Sequence, residues 1–358
     1  MSSCSRQAIY SSRERVLWLQ NSNPRLRSLV LFAPLFGVGE EDLETKGQFK
    51  TMCRKFSSLR VFDIDSPILV KQQILVKEIG KLTHLKYLGF KDEHNGRLLI
   101  SNLQSRRLRT LTLVEDTCIR LPAEVSRLQE LRHLIGYFGN GLESIGNLTK
   151  LQTLRKVTVS SWARINTRKL VNLRELWVEL EGNVDEKGKG FSFNSMANLE
   201  SLRILDVKLS FSAGYFSSLQ PLSHCRQLTD LRLYGSIEKL PENIHQVLTK
   251  LECLSLCHTN LKDDPMPLLE MLPTLTVLDL GLGFYTGRKM LCSARGFPRL
   301  EILLLEVQLG DTLDEWQVEE GSFPLLRGFS ILPNNSNMTI PERLRSLPSP
   351  NRSEFRGK

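Results

Sequence analysis

An α/β solenoid is the fold class this sequence predicts, and three observations carry the prediction. The phrase L-x-x-L-x-L stands at Leu228, Leu231 and Leu233 and returns 23 residues later at Leu251, Leu254 and Leu256. Residues two apart in a strand share a face, so Leu231 and Leu233 turn inward together and leave Arg232 outside. Phrases of this kind begin at Leu26, Leu59, Leu85, Leu108, Leu131, Leu154, Leu173, Leu202, Leu228, Leu251, Leu275, Leu300 and Leu326. One such unit cannot bury its own apolar face, whereas stacked neighbours can. The spacing therefore predicts a leucine-rich-repeat solenoid, with a concave parallel sheet and an irregular or short-helical convex side. At about 4.8 Å between strands, thirteen repeats make a sheet path of about 60 Å.

Taken in order, residues 1–25 form an N-terminal linker and cap, in which Val16, Leu17 and Leu19 supply a strand over the open end of the stack. The repeat domain spans 26–331. Pro34, Gly37, Gly39 and the acidic run Glu40–Asp42 make a loop and short helix after the first phrase. The Leu131 phrase is weak, because Gly136 stands where a large side chain is needed. Leu151 rivals Leu154 as the next start; Leu154 is taken because Val157 and Val159 complete an inward phrase, and either a local irregularity over 136–160 or a simple slip of the repeat alignment is expected. Residues 181–193, which include EGNVDEKGKG, hold too little apolar surface to order themselves and read as a protruding loop. Phe284 and Tyr285, between Gly281 and Gly287, pack a longer turn, with a contact point for a partner as the alternative. Residues 332–358 form a C-terminal cap or flexible tail, with Ile340 and Leu344 covering the last repeat and Pro348 and Pro350 opposing a continuing helix.

Charge is uneven along the chain, whose formal net charge is +9. Residues 1–180 carry 29 Lys and Arg against 17 Asp and Glu, and residues 181–358 carry 19 against 22. A basic first half favours an acidic partner surface. Nucleic acid is not the expected partner, since zinc-finger spacing and an aromatic-basic platform are both missing. Seven scattered cysteines suit a reducing compartment better than a disulfide framework. The start lacks the apolar core of a secretion signal and no run reaches membrane-spanning length, so a cytoplasmic protein without membrane insertion is expected.

No residue constellation points to catalysis. Cys253, Cys257 and His258 invite a zinc reading, but the cysteines fall on variable strand positions and the spacing supplies no four-ligand pattern. Asp263 and Asp264 precede Pro265 and suit a turn better than acid-base chemistry. Neither a G-x-x-x-x-G-K-[ST] loop nor a strand-linked GxGxxG occurs, so no enzyme activity and no cofactor is expected. What remains is the variable surface beside the inward leucines. The protein-binding candidates are Arg109, Thr112, Arg132, Arg174, Trp177, Arg203, Asp206, Arg232 and Tyr234. Arginine brings several directed donors, and Trp or Tyr a large contact of limited flexibility.

The phrases LVLF at Leu29–Phe32, IGKLTHLKYLGF at Ile79–Phe90, LPAEVSRLQELRHL at Leu121–Leu134 and SFPLLRGFSI at Ser322–Ile331 resemble the leucine-rich-repeat part of plant intracellular disease-resistance proteins. The nearest subtype is the coiled-coil, nucleotide-binding class that includes late-blight resistance proteins, and RQAIYSS at Arg6–Ser12 resembles the segment joining the nucleotide-binding module to the repeats. The resemblance implies a pathogen effector or effector-modified host protein as partner, and a nucleotide-binding immune module, in cis or in trans, held inactive by the repeats. It also implies a cytoplasmic receptor that reaches a membrane only peripherally, through partners. The coiled coil and phosphate-binding loop of that family are not among these residues, which implies a fragment or truncated member without autonomous signalling. A general intracellular repeat scaffold is the alternative.

Overall fold

The computed structural model describes residues 6–9, 23–31, 50–65, 78–91, 103–114, 118–180, 190–209, 214–307, 313–332 and 342–350. They belong to two units, Met1–Leu173 and Arg174–Lys358.

Unit 1 contains β1 (Arg6–Ile9), β2 (Ser28–Leu31), β3 (Val61–Asp65), β4 (Tyr87–Lys91), β5 (Thr110–Val114), β6 (Ile119–Arg120), β7 (His133–Asn140) and β8 (Thr153–Thr158). All but β6 lie side by side in chain order and pair in parallel; β6 pairs separately with β7. Chain order is strand order because each phrase is followed by a return segment that brings the next leucine pair in beside the last. Leu29, Leu31, Phe62, Ile64, Leu88, Leu111, Leu113, Leu134 and Leu154 are buried on the inner face. The strand against β2 comes from Arg6–Ile9, whereas Val16, Leu17 and Leu19, given that task above, lie outside the described residues.

The expected irregularity is present in β7. Its pairing with β8 runs Leu134 to Leu154 and Ile135 to Arg155, then jumps to Phe138 with Val157. Gly136 has no side chain to bury, and the ring of Phe138 takes its space. A Cβ on Gly136 would lie 2.7 Å from Phe138 Cζ and 2.7 Å from the Leu113 carbonyl oxygen. The register corrects one boundary. Leu154 is the partner of Leu134, so the phrase starts at buried Leu151 rather than Leu154. Val159 is not part of the strand: it opens a helical turn, Val159–Trp162, capped by the Thr158 hydroxyl, which accepts the Ser161 N–H at 3.3 Å.

Unit 2 contains β9 (Glu175–Glu179), β10 (Gly190–Phe191), β11 (Ile204–Lys208), β12 (Tyr215–Phe216), β13 (Asp230–Tyr234), β14 (Ser236–Ile237), β15 (Cys253–Cys257), β16 (Val277–Leu280), β17 (Lys289–Cys292), β18 (Ile302–Glu306), β19 (Glu315–Val318) and β20 (Gly328–Leu332). The main parallel sheet runs β9-β11-β13-β15-β16-β18-β20, while β10-β12-β14 and β17-β19 form small sheets of their own. Phe191, Phe193 and Phe216 pack into one aromatic cluster. The loop expected over 181–193 therefore ends before β10, since Phe191 and Phe193 are core; residues 181–189 lie outside the described residues. Phe284 is buried and the Tyr285 hydroxyl donates to the Lys289 carbonyl at 2.8 Å, so this pair packs its turn as expected. At β20 the Phe329 N–H donates to the Pro348 carbonyl at 3.1 Å and Leu344 is buried, which covers part of an otherwise open strand edge. Ile340 is outside the described residues.

Candidate protein-binding surface

The strand phrase sorts outward residues into fixed columns. The residue after the first leucine of each phrase sits in the turn just before the strand, and its carbonyl accepts two N–H groups from the next rung. In unit 1 Arg27 does this for Arg60 and Val61, Arg60 for Lys86 and Tyr87, Lys86 for Arg109 and Thr110, and Arg109 for Arg132 and His133, all at 2.7–3.0 Å. Five successive rungs thus hold Arg27, Arg60, Lys86, Arg109 and Arg132 along one edge of the sheet. Arg27, Arg60 and Arg109 are exposed, and Lys86 and Arg132 half-buried. None of the five forms an ion pair among the described residues. The nearby carboxylate of Glu130 is taken by Lys150, whose hydrogen bond is the first cause holding it below the usual range, with Arg109 and Arg132 adding to the effect. The column therefore presents one sign of charge along this edge, which complements an anionic partner.

In unit 2 the same column begins with Arg174 and Arg203 and continues through Thr229, Glu252, Thr276 and Glu301, so the basic run stops there. The main interest lies on the strand face itself. Asp206 pairs in register with Trp177 on one side and Arg232 on the other, and Lys208 with Glu179 and Tyr234. Arg232 grips Asp230 with two bonds, Nε to Oδ1 at 3.0 Å and Nη2 to Oδ2 at 2.9 Å. Lys208 Nζ lies 5.7 Å from the centre of the Tyr234 ring, which is itself 4.7 Å from the ring of His258. Further along, the Ser255 hydroxyl donates to Asp279 at 3.1 Å. Asp206 makes no hydrogen bond among the described residues.

Of the nine candidates, Thr112, Trp177, Asp206, Arg232 and Tyr234 lie within strands on the outward face and are half-buried. Arg109, Arg132, Arg174 and Arg203 lie instead in the turns that precede the strands. Trp177, Asp206, Arg232 and Tyr234 are brought together; Arg109, Thr112 and Arg132 belong to unit 1. Sequence reasoning missed Arg27, Arg60 and Lys86, although the pair Leu-Arg or Leu-Lys opens each of their phrases. It also missed Lys208, which lies over Tyr234 one rung away, and Asp230, which Arg232 of the same strand holds. Cys253 and Cys257 are half-buried outward residues of β15, and no group of three or more metal-binding side chains occurs among the described residues. No described helix is long and apolar enough to cross a membrane.

Burial raises the Asp206 carboxyl to about 6, with Asp230 and Glu179 adding to the shift and Arg232 opposing it. A carboxyl raised above its unfolded value of 3.8 binds its proton more tightly in the fold, so its ionisation subtracts stability. That loss is fully present above about pH 6 and disappears below about pH 4. Asp206→Asn is expected to raise stability at neutral pH by about 1–2 kcal/mol and to flatten the pH dependence between those limits. Urea unfolding across pH tests this; a destabilised variant at neutral pH would contradict it.

Comparison with known proteins follows this geometry. A family model described as "Leucine-rich repeat region" matches residues 42–343. The disease resistance RPP13-like protein 2 of Arabidopsis thaliana is 33% identical over 335 residues, covering 91% of this chain and 37% of that protein. Disease resistance protein RPP13 from the same plant is 30% identical over 350 residues, covering 96% and 37%. The chain thus spans little more than a third of these relatives. Among solved structures, a leucine-rich repeat protein of Leptospira interrogans superposes with a TM-score of 0.56 at 16% identity, covering 94% of this chain and 96% of that one. An internalin of Listeria monocytogenes gives 0.54 at 16% identity, covering 86% and 81%. These two likenesses concern the fold alone.

Proposed function

Since the chain belongs to the leucine-rich repeat family, in the branch found in plant disease resistance proteins, we propose that it is the noncatalytic recognition and autoinhibitory module of a plant intracellular immune receptor. Its outward strand face selects a pathogen effector or an effector-modified host protein. Its basic edge in unit 1 holds a nucleotide-binding immune module, in cis or in trans, in the inactive state. The receptor works in the cytoplasm. The observation that carries this reading is the column Arg27, Arg60, Lys86, Arg109 and Arg132: five cations in register, without ion pairs among the described residues, suit an acidic protein surface.

The test is co-purification of the chain with a separately expressed nucleotide-binding module of a related disease resistance protein. Replacing the three middle rungs together, Arg60→Glu, Lys86→Glu and Arg109→Glu, is expected to weaken association by about 30-fold or more, and raised salt to weaken the parent complex. These residues are exposed or half-buried, so the fold should persist, which circular dichroism checks. Equal binding by parent and variant would remove the autoinhibitory contact and favour a general scaffold.

A further inference from the structure

On the strand face of unit 2, we infer that Trp177 and Asp206 form a docking notch for a single cationic side chain, arginine or lysine, presented by a partner protein. The inference deepens the recognition role proposed above and rests on it. Trp177 and Arg232 flank Asp206 in register on the neighbouring strands, so they stand about 9.6 Å apart with the shorter aspartate between them. The short carboxylate thus sits between the indole of Trp177 and an arginine whose guanidinium is turned to Asp230.

Charge then selects the occupant. On three consecutive rungs the outward groups are Glu175, Trp177 and Glu179 on β9, Ile204, Asp206 and Lys208 on β11, and Asp230, Arg232 and Tyr234 on β13. Four carboxylates thus face two cations. Both cations are engaged: Arg232 is neutralised by its two-bond grip on Asp230, and Lys208 lies over the Tyr234 ring. Asp206 keeps access to the surface and has no hydrogen-bond donor among the described residues. A guanidinium or ammonium group entering beside Asp206 would supply that donor while lying against the Trp177 indole, which attracts cations. An apolar or acidic side chain would leave the carboxylate desolvated and unmatched. A half-buried carboxylate that lowers stability at neutral pH, yet accepts no hydrogen bond among the described residues, is what a binding residue looks like before its ligand arrives.

The probe is acetyl-arginine N-methylamide, with its neutral citrulline analogue as control, titrated into the full chain carrying 5-fluorotryptophan. The Trp177 fluorine resonance is assigned with Trp177→Phe. The arginine compound is expected to shift that resonance saturably and the citrulline compound to bind at least about 5-fold more weakly. Asp206→Asn should lose about the same factor and Asp206→Glu should retain binding. Lowering the pH from about 7.5 to 5.5 should weaken binding to the parent chain and leave Asp206→Asn unchanged, because Asp206 takes up its proton in that interval, Arg232 is held charged by Asp230, and His258, packed on Tyr234, titrates alike in both proteins. Absence of a saturable shift, equal affinity for citrulline, or an unaltered Asp206→Asn variant would each overturn the inference. If the arginine compound fails while reversal of the basic column still releases the nucleotide-binding module, the notch is wrong and the module reading stands. If the notch binds and the column does not matter, autoinhibition falls alone.

Discussion

Replacing Phe193 with alanine is expected to cost unit 2 about 3–5 kcal/mol, the range for deleting a fully buried aromatic side chain. Phe193 is 0% exposed. Its ring meets Phe191 edge-on at 5.2 Å and stacks on Phe216 at 5.7 Å, so the truncation opens a cavity and breaks two aromatic pairs. It also opens the short helical segment Phe193–Asn198, whose cap, Ser192, accepts the Asn194 N–H at 3.3 Å. The small sheet β10-β12-β14 aligns Phe191 with Phe216 and Phe216 with Ile237, which gives the cluster little freedom to collapse. Repeat arrays can lose one region before another, so hydrogen exchange read on peptides from 190–209 and 214–237 is the suitable measurement. Faster exchange confined to those peptides is the expected result. Protection within 1 kcal/mol of the parent would show that the cluster repacks and that the cavity argument is wrong.

Gly141→Ala should be the other severe change, and Gly321→Ala its control. Both glycines have φ of +81°, a left-handed conformation that costs an alanine roughly 1–2 kcal/mol. Their surroundings differ. At Gly321 the nearest atoms to a new Cβ are 3.9 Å away, in Arg295, so the conformational term stands alone. At Gly141 the Cβ would lie 1.9 Å from the Leu121 carbonyl oxygen, a backbone atom that cannot swing aside. The Leu121 N–H is itself committed to the Asn140 carbonyl at 2.9 Å, so relief of the clash strains the pairing beside β6 and β7. Gly141→Ala is expected to cost about 3 kcal/mol or more and Gly321→Ala about 1. Urea midpoints of the two variants decide the matter; equal losses would mean that conformation alone governs both sites.

Much of the candidate surface was already legible as pattern. Arg109 and Arg132 follow the first leucine of their phrases, and the same alignment would have found Arg27, Arg60 and Lys86. The strand-face role of Trp177, Asp206, Arg232 and Tyr234 follows from alternation with the buried leucines. What the pattern left open was the state of each group. Asp206, Asp230 and Asp279 all occupy outward positions, yet one carboxylate binds an arginine, one accepts a hydroxyl, and one is left without a hydrogen bond among the described residues.

By itself, the sequence determined the stacking of parallel strands, because a strand with period-two leucines has one apolar face that only a neighbouring copy can cover. It also determined which columns are basic, since one residue per repeat falls at the same edge. Only the tertiary structure decided that Phe138 fills the gap at Gly136, that Leu151 rather than Leu154 starts its phrase, and that Arg232 turns to Asp230 instead of Asp206. Each of those outcomes depends on how neighbouring groups fill space or compete for one partner, and spacing along the chain does not encode that competition.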